Sequence, residues 1–451
     1  MIDIDDKAFI ALYTTDSEEA EHVIRRVIRG PDTMRALSLC LMLKEQGHID
    51  AAKRNLKLLQ ASHPEEPAIS FELGVLLFER DPDAAKAELS RALKIAPDFV
   101  SAFRCLALLH LYNNSIESFF GLLDRYEESS NLTLSVVSDL ARFYSYLISL
   151  PSSPKPSDNP FINALGFGVT EATVDYSFSA VLQALSNAEP FALVRYGDGE
   201  GALWRAPMEE ERLNFPEYRR QRMYFSTRWF GEDYGKIRNI VDGIGLETAK
   251  LLPTADVIGA PTVAWIKHEG ISCNLQTFAC CVNAARAART AKVPKARTSV
   301  HFDLLDSGGL SEIINFGRPV CLVTSHRAMA PLIEHRFPNQ REVEQIIIPP
   351  AHSDLHITKY ILSDRSYCVV DSVLHAAKSV DRDHIVLVGA GYVGKLVCLK
   401  LKELGFLAID VGSVFDLILN LSTRPNFSMY NPDKSFGAGV SFLQPKPLAP
   451  I

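Results

Sequence analysis

The sequence has no uninterrupted apolar run of about 18 residues, which is the length that a membrane-spanning helix needs. It starts Met-Ile-Asp-Ile-Asp-Asp, without the basic start and apolar stretch of a secretory signal. Its eight cysteines form no CxxC pair, and its net charge of −7 provides no basic field for nucleic acid or an anionic membrane. These absences predict a cytoplasmic protein with reduced thiols, no transmembrane segment and no nucleic-acid partner. Any attachment to the inner face of a membrane would occur through protein partners.

A chain of 451 residues is too long for one compact core, so two or three domains are expected. The first of them shows a repeat, because His63-Pro64 and Ala96-Pro97 close two amphipathic stretches 33 residues apart. Small or apolar pairs recur at one repeat position: Leu39-Cys40, Leu73-Gly74 and Leu106-Ala107. This spacing resembles the tetratricopeptide repeat over residues 33–130, although an unspecialised helical bundle stays an alternative. We expect an all-α helical-repeat domain over residues 1–150.

Four prolines follow between residues 151 and 160, and such a run holds neither a helix nor a central strand. It predicts a linker over 151–164. After it, short β-branched runs alternate with helical stretches, which predicts a Rossmann-like, mostly parallel α/β domain over 165–451. The predicted strands are Phe191–Tyr196, Val257–Gly259, Val320–Thr324, Gln345–Ile348, His384–Val388 and Phe406–Ile409. Polar or glycine-rich loops follow several of them and should share one crevice at the carboxyl edge of the sheet.

The sharpest local motif is Arg195-Tyr-Gly-Asp198-Gly-Glu200, directly after the first strand. Two carboxylates one residue apart at a strand end can point the same way, and the glycines Gly197 and Gly199 let the backbone approach a ligand. Mn²⁺ or Mg²⁺ takes one or two carboxylates and completes its shell with water and substrate phosphate. A glycine-rich turn with two solvated acids is the plain alternative. The strand-end position and Arg195 favour a metal–diphosphate site with Asp198 and Glu200 as ligands.

The second motif is a glycine-rich turn, Gly389-Ala-Gly391-Tyr-Val-Gly394-Lys395, which follows a strand and precedes a helix. The next strand ends in Asp410, so the segment also matches the dinucleotide fingerprint of NAD(P)-dependent oxidoreductases. Only about 40 residues follow Asp410, whereas a dinucleotide domain continues through further strand–helix units. The turn therefore predicts an anion site that suits a diphosphate of either class.

Two weaker features remain open. Ser325-His326-Arg327 at a strand end holds phosphate or caps a helix. His352 and His356 stand four residues apart, as in zinc proteases, but a serine replaces the glutamate that acts as general base there. We therefore assign the two histidines no metal.

These motifs together resemble the GT-D-type glycosyltransferases, over roughly residues 175–420. The matching segments are Arg195–Glu200, Ile348-Pro349, Gly389–Lys395 and Asp410-Val411-Gly412. The chain departs from the family after Gly412, where the family continues His-x-Asp-x-Glu-Tyr and this chain has Ser413-Val-Phe-Asp416-Leu-Ile. The family's acidic strand end before Ile-Pro is replaced by Thr324-Ser-His-Arg327.

The resemblance implies transfer of a sugar from a nucleotide diphosphate sugar, most plausibly UDP-linked, to a glycan, glycoprotein or lipid-linked acceptor. Asp198 and Glu200 would hold Mn²⁺ or Mg²⁺ on the diphosphate, and Asp410 or Asp416 would deprotonate the acceptor. The residues assigned to the nucleotide sugar are Arg195, Gly197, Gly199, Arg327, Gly389, Gly391, Gly394 and Lys395. The helical repeats would bind a protein partner or the acceptor. The alternatives are an oxidoreductase that uses Gly389–Gly394, and a non-catalytic repeat scaffold with a degenerate α/β domain.

Overall fold

The computed structural model describes most of the chain. The ranges described are 17–30, 32–129, 134–170, 174–203, 234–272, 274–340, 342–349 and 366–419, with isolated positions beside them. They form two compact units. The first comprises Met1–Ala164 and Lys267–Leu275, and the second comprises Leu165–Ile266 and Gln276–Ile451.

Among its described residues, the first unit consists of helices and the segments that connect them. Its helices up to residue 165 are α1 Ser17–Ile28, α2 Thr33–Glu45, α3 Ile49–Ser62, α4 Pro67–Leu77, α5 Pro82–Ile95, α6 Val100–Tyr112, α7 Ile116–Ser129, α8 Leu134–Ser149 and α9 Pro160–Leu165. Acidic caps begin two of the helices, since Asp32 and Asp81 each accept a backbone N–H three residues on. Pro67 and Pro82 occupy first turns, where the missing N–H costs nothing.

The repeat positions lie in the core of this unit. Leu39, Cys40, Leu73 and Ala107 are fully buried. A Cβ on Gly74 would lie 2.6 Å from the Leu89 Cγ, so α4 and α5 approach each other where only glycine fits. The predicted all-helical organisation is confirmed, and the assignment to the tetratricopeptide class stays a prediction.

The proline-rich segment is tied to the first unit by side-chain amides. Asn159 Nδ2 donates to the carbonyl oxygens of Leu111 and Tyr112, at 2.9 Å each. Its Oδ1 accepts from Phe161 N and caps α9. Within the same unit, Lys267 Nζ lies 2.6 Å from a Glu79 carboxylate oxygen. Residues 267–275 therefore belong to this unit although they lie about 100 residues further along the sequence.

The second unit is a parallel α/β structure. Its strands are β1 Phe191–Arg195, β2 Val257–Ala260, β3 Lys295–Arg297, β4 Val320–Thr324, β5 Val343–Ile347, β6 Ile385–Gly389 and β7 Leu407–Asp410. The remaining helices of the chain are α10 Val174–Asn187, α11 Asp198–Leu203, α12 Tyr234–Leu251, α13 Val263–Ile271, α14 Leu275–Thr290, α15 Val300–Asp306, α16 Gly309–Ile314, α17 Met329–Arg336, α18 Ser366–Ala377, α19 Gly394–Glu403 and α20 Val414–Ile418. Short 3₁₀ turns cover Leu252–Thr254 and Gly391–Val393.

The seven strands form one sheet in the order β3-β2-β1-β7-β6-β4-β5, and every pairing is parallel. Six strands were predicted, within a few residues, and β3 was missed because only three residues of mixed polarity form it. Neighbouring strands β1, β7 and β6 end in Arg195, Asp410 and Gly389. Because carboxyl ends of parallel strands lie at one edge, the sheet brings together loops that are far apart in sequence.

Both faces of this sheet are covered. Ala192 and Val194 of β1 pack into one buried apolar cluster, whereas Phe191 and Leu193 pack into the other. This two-residue alternation with apolar residues on both sides is typical of a parallel sheet between helices. The rigid layers fix the strand ends, and so they fix the positions of the side chains at the carboxyl edge.

No helix within the described ranges is long and apolar enough to cross a membrane. The six cysteines whose side chains are described are buried and form no disulfide bond with one another, namely Cys40, Cys105, Cys280, Cys281, Cys321 and Cys398. This confirms the expected buried thiols at these six positions.

Candidate active site

A buried cluster of four charged side chains lies at the carboxyl edge of the sheet. Lys395 Nζ, near the start of α19, lies 2.6 Å from Glu200 Oε1 and 3.4 Å from Asp410 Oδ2. Arg195 Nε lies 3.6 Å from the same Asp410 oxygen. Asp410 is 0% exposed, Lys395 3% and Glu200 7%. Two cations and two anions therefore neutralise each other in a water-poor environment.

Backbone groups complete the cluster. Glu200 Oε2 accepts from Gly197 N at 2.7 Å, and Asp410 Oδ1 accepts from Gly412 N at 3.0 Å. Lys395 Nζ also donates to Gly391 O at 2.9 Å. An ammonium has three N–H donors, and here it has three oxygen neighbours. The glycine turns after β1, β6 and β7 thus hold the charged side chains through their own backbone atoms.

Gly412 shows why glycine stands after the last strand. Its φ is +50°, a conformation that L side chains rarely adopt, and a Cβ there would lie 2.0 Å from Arg195 Nη2. Arg195 also donates from Nη1 to Thr298 O at 3.3 Å. The Arg195 guanidinium is therefore enclosed between the loops that follow β7 and β3.

The electrostatic environment keeps Glu200 ionised. Burial by itself opposes its charge, but the Lys395 ammonium, the Arg195 guanidinium and the Gly197 N–H together hold the pKa of Glu200 below its usual range. Glu200 is therefore a permanent anion at neutral pH. It lies two residues after Asp198, in the first turn of α11.

The metal ligands expected from the sequence suit a coordination shell that is completed by the substrate. Among the described residues, no three His, Cys, Asp or Glu side chains are grouped so as to hold a metal alone. A carboxylate has about four lone-pair positions, and Glu200 uses one at each oxygen. Asp198, which is half-buried, adds a second carboxylate. This donor set suits a divalent cation whose shell is completed by phosphate oxygens and water. Binding of the metal by Asp198 and Glu200 stays a prediction.

The two predicted catalytic acids occupy different environments. Asp410 has no exposure, and its Oδ2 makes ion-pair contacts without a hydrogen bond. Asp416, on α20, is 16% exposed, and its Oδ1 lies 2.6 Å from His326 Nε2. His326 follows β4, and this pair was not foreseen. The strand-end position of Ser325-His326-Arg327 was the available signal, but nothing local links it to Asp416, 90 residues later.

The remaining predicted residues take distinct places. Gly199 is buried in α11, and Arg327 is exposed beside His326. A Cβ on Gly389 would lie 2.6 Å from the Phe415 ring, and one on Gly394 would lie 3.8 Å from Asp410 Oδ1. Both glycines thus lie in the turn that lines the charged cluster, and their contact with a nucleotide sugar stays a prediction. His352 and His356 lie outside the described residues.

Comparison with known proteins identifies the family of the α/β unit. A family model described as a GT-D fold-like domain matches residues 173–418, more than half of the chain. No curated protein matches the chain significantly. A solved structure of an O-GlcNAc transferase mutant from Thermobaculum terrenum aligns with 93% of this chain and 78% of that chain, at 14% sequence identity and a TM-score of 0.22. A TM-score this low does not establish a common fold.

Proposed function

This chain belongs to the GT-D-like family, and we propose on that premise that its α/β unit moves a sugar from a nucleotide diphosphate sugar to an acceptor hydroxyl. The donor is UDP-linked, and the acceptor is a glycan, a glycoprotein or a lipid-linked sugar. The observation that carries this proposal is the convergence of two loops at one edge of the sheet. The Arg195–Glu200 turn and the Gly389–Lys395 turn lie far apart in sequence, yet the Glu200–Lys395 ion pair joins them.

The charged cluster provides a suitable environment for a diphosphate that binds next to it. Its four side chains sum to zero charge, so it attracts no ion by itself, and its buried ion pairs hold the loops rigid. A rigid, preorganised polar site stabilises developing charge without reorganising during the reaction. Asp198 and Glu200 would hold Mn²⁺ or Mg²⁺ there, and the metal neutralises charge on the leaving diphosphate when bound. Arg195 and the turn glycines would position the donor.

The environment of Asp410 separates this function from the oxidoreductase alternative. In a dinucleotide site the acid that ends the second strand binds a ribose hydroxyl. Here Asp410 is fully buried and its oxygens face Arg195, Lys395 and the Gly412 N–H. The same burial argues against Asp410 as the base that takes the acceptor proton, because a base must reach its substrate.

A ligand screen by thermal shift tests the proposal. UDP, GDP, NAD and NADP are each added with Mn²⁺ and with EDTA, and UDP with Mn²⁺ should raise the melting temperature most. At a UDP concentration 100-fold above the Kd, the stabilisation is about 2.7 kcal/mol. Saturable NAD binding in the micromolar range, with none for UDP, would favour the oxidoreductase. Binding of none of the four would favour a scaffold.

The metal is tested with Asp198→Asn, which removes one charge and leaves the Glu200–Lys395 pair intact. This variant should lose the difference between Mn²⁺ and EDTA while its melting temperature without ligand stays close to wild type. Asp306→Asn, at an exposed acid that ends α15, is the matched control and should keep the metal effect. Equal metal dependence in both variants would remove Asp198 from the metal site.

The helical unit has a separate proposed role, which is to bind the acceptor or a protein partner. Helical-repeat arrays present extended surfaces that suit polypeptides. Pull-down of a glycosylated partner by the full chain tests this role.

A further inference from the structure

A histidine–aspartate pair lies at the same carboxyl edge as the charged cluster. His326 Nε2 and Asp416 Oδ1 are 2.6 Å apart, and the two side chains are 24% and 16% exposed. They come from loops after different strands, since His326 follows β4 and Asp416 follows β7. Both strands belong to the sheet whose carboxyl edge holds the charged cluster.

The pairing defines which ring nitrogen is basic. A carboxylate only accepts hydrogen bonds, so the neutral imidazole carries its proton on Nε2 and keeps a lone pair on Nδ1. Within the ranges that the structure describes, His326 Nδ1 makes no hydrogen bond, although a quarter of the side chain is exposed. The free nitrogen of an oriented imidazole is thus open to a ligand.

The backbone of His326 is fixed on two sides. Its N–H donates to Thr324 Oγ1 at 3.2 Å, and its carbonyl accepts from Gln345 Nε2 at 2.7 Å. Gln345 of β5 is neutral, Arg327 extends into solvent, and Asp416 is the charged side chain that contacts the ring. The loop therefore holds the imidazole in one place and leaves Asp416 as its electrostatic partner.

We propose that His326 is the catalytic base of the transfer, acting through Nδ1, and that Asp416 is its positioning residue. This inference rests on the proposed function. As the acceptor oxygen attacks the anomeric carbon of the donor sugar, its proton moves to Nδ1. The bond between that carbon and the diphosphate oxygen breaks, and its electron pair leaves with the nucleoside diphosphate. The imidazolium then returns its proton to water. A single displacement of this kind inverts the anomeric configuration.

The pair lies at a segment where this chain departs from its family. The segment after Gly412 has Ser413, Phe415 and Leu417 where the family has histidine, aspartate and glutamate, and Asp416 stands at a position that varies in the family. In the structure, His326 from the loop after β4 contacts this segment through Asp416. An oriented base can therefore come from a loop after a different strand at the same edge of the sheet.

The test measures UDP release from UDP-glucose, UDP-galactose and UDP-N-acetylglucosamine with water as the acceptor. His326→Ala should lower kcat by about 10²- to 10⁴-fold on the donor that the wild type uses. Its UDP affinity should stay within about twofold of wild type, because the base contacts the acceptor side. Imidazole in the buffer should restore part of the rate, which a structural role of His326 would not allow. Asp416→Asn should lose about tenfold in kcat and keep UDP binding.

Controls separate the possible causes of a loss. His335→Ala, at an exposed position of α17, should behave as wild type. His326→Gln keeps a donor for Asp416 but takes up no proton, so it should be as inactive as His326→Ala even if the latter folds poorly.

The outcomes distinguish the two proposals. A wild type that binds no UDP and releases none contradicts the proposed function itself. If UDP binding and UDP release by His326→Gln stay within threefold of the His335→Ala control, His326 is not the base. The proposed transferase function is then unaffected. A first-formed sugar that retains the donor's anomeric configuration, as seen by NMR, also overturns the base. A loss of rate in the His326 variants, inversion of the anomeric configuration by the wild type and rescue of the rate by imidazole together support His326 as the base.

Discussion

The ion pair between Lys395 and Glu200 should couple the stability of two distant loops. Its N–O distance is 2.6 Å, so the attraction between the charges is about 6 kcal/mol at an effective dielectric constant of about 20. Desolvation offsets much of this attraction, because both groups are almost fully buried. Removing one partner, however, leaves the other charge buried without compensation. Lys395→Met and Glu200→Gln should therefore each cost about 3–5 kcal/mol.

The double variant should lose much less free energy of unfolding than the two single variants lose together. With both substitutions, Arg195 and Asp410 remain as a neutral pair, whereas either single variant leaves one unit of net charge in the cluster. We expect a coupling energy of about 2–3 kcal/mol. Lys400 and Glu247 serve as the matched control, since their N–O distance is also 2.6 Å but their side chains are 27% and 30% exposed. Their coupling should stay below about 1 kcal/mol.

Urea unfolding followed by tryptophan fluorescence measures these energies. Trp265, the tryptophan within the described residues, lies in the second unit, which holds the site. The reasoning holds that burial makes the coupling energy of the Glu200–Lys395 pair large. It is refuted if this coupling energy is no larger than that of the exposed control pair.

Two further predictions follow from the same cluster. Because the folded-state pKa of Glu200 is lowered, its charge stabilises the fold above the unfolded-state pKa of about 4.3 and loses this effect as the pH falls through the folded-state value. Urea titrations from pH 7 down to pH 3 should show the stability gap between wild type and Glu200→Gln closing only below about pH 4.3; a gap that closes above pH 6 contradicts the lowered pKa. Gly412→Ala should cost more than about 1 kcal/mol, because φ is positive and the new Cβ meets Arg195. Gly121→Ala, inside α7 with nothing within 4 Å of the added atom, should instead stabilise by about 0.5–1 kcal/mol, and thermal melts that rank the two variants the other way would disprove this account.

The sequence by itself determined the class of each unit. A helical repeat is visible as a period in the sequence, and Leu39, Leu73 and Leu106, which recur at that period, are all buried. Six of the seven described strands were visible as apolar runs between turn residues, since strands buried on both faces need such runs. The segments Arg195–Glu200 and Gly389–Lys395 were visible as glycine-rich stretches that directly follow a strand.

Only the tertiary structure decided which of these side chains meet. The Glu200–Lys395 contact joins residues nearly 200 positions apart, and the His326–Asp416 contact joins residues 90 apart. Neither is encoded in a local pattern, because strand order, and not sequence distance, determines which loops are neighbours. Burial likewise distinguishes Asp410, which ends β7, from Asp416, which follows it. The Asp410 carboxylate is enclosed by Arg195 and Lys395, and the Asp416 carboxylate contacts an imidazole that is about a quarter exposed. Chemistry at this site thus depends on where the parallel sheet places its strand ends.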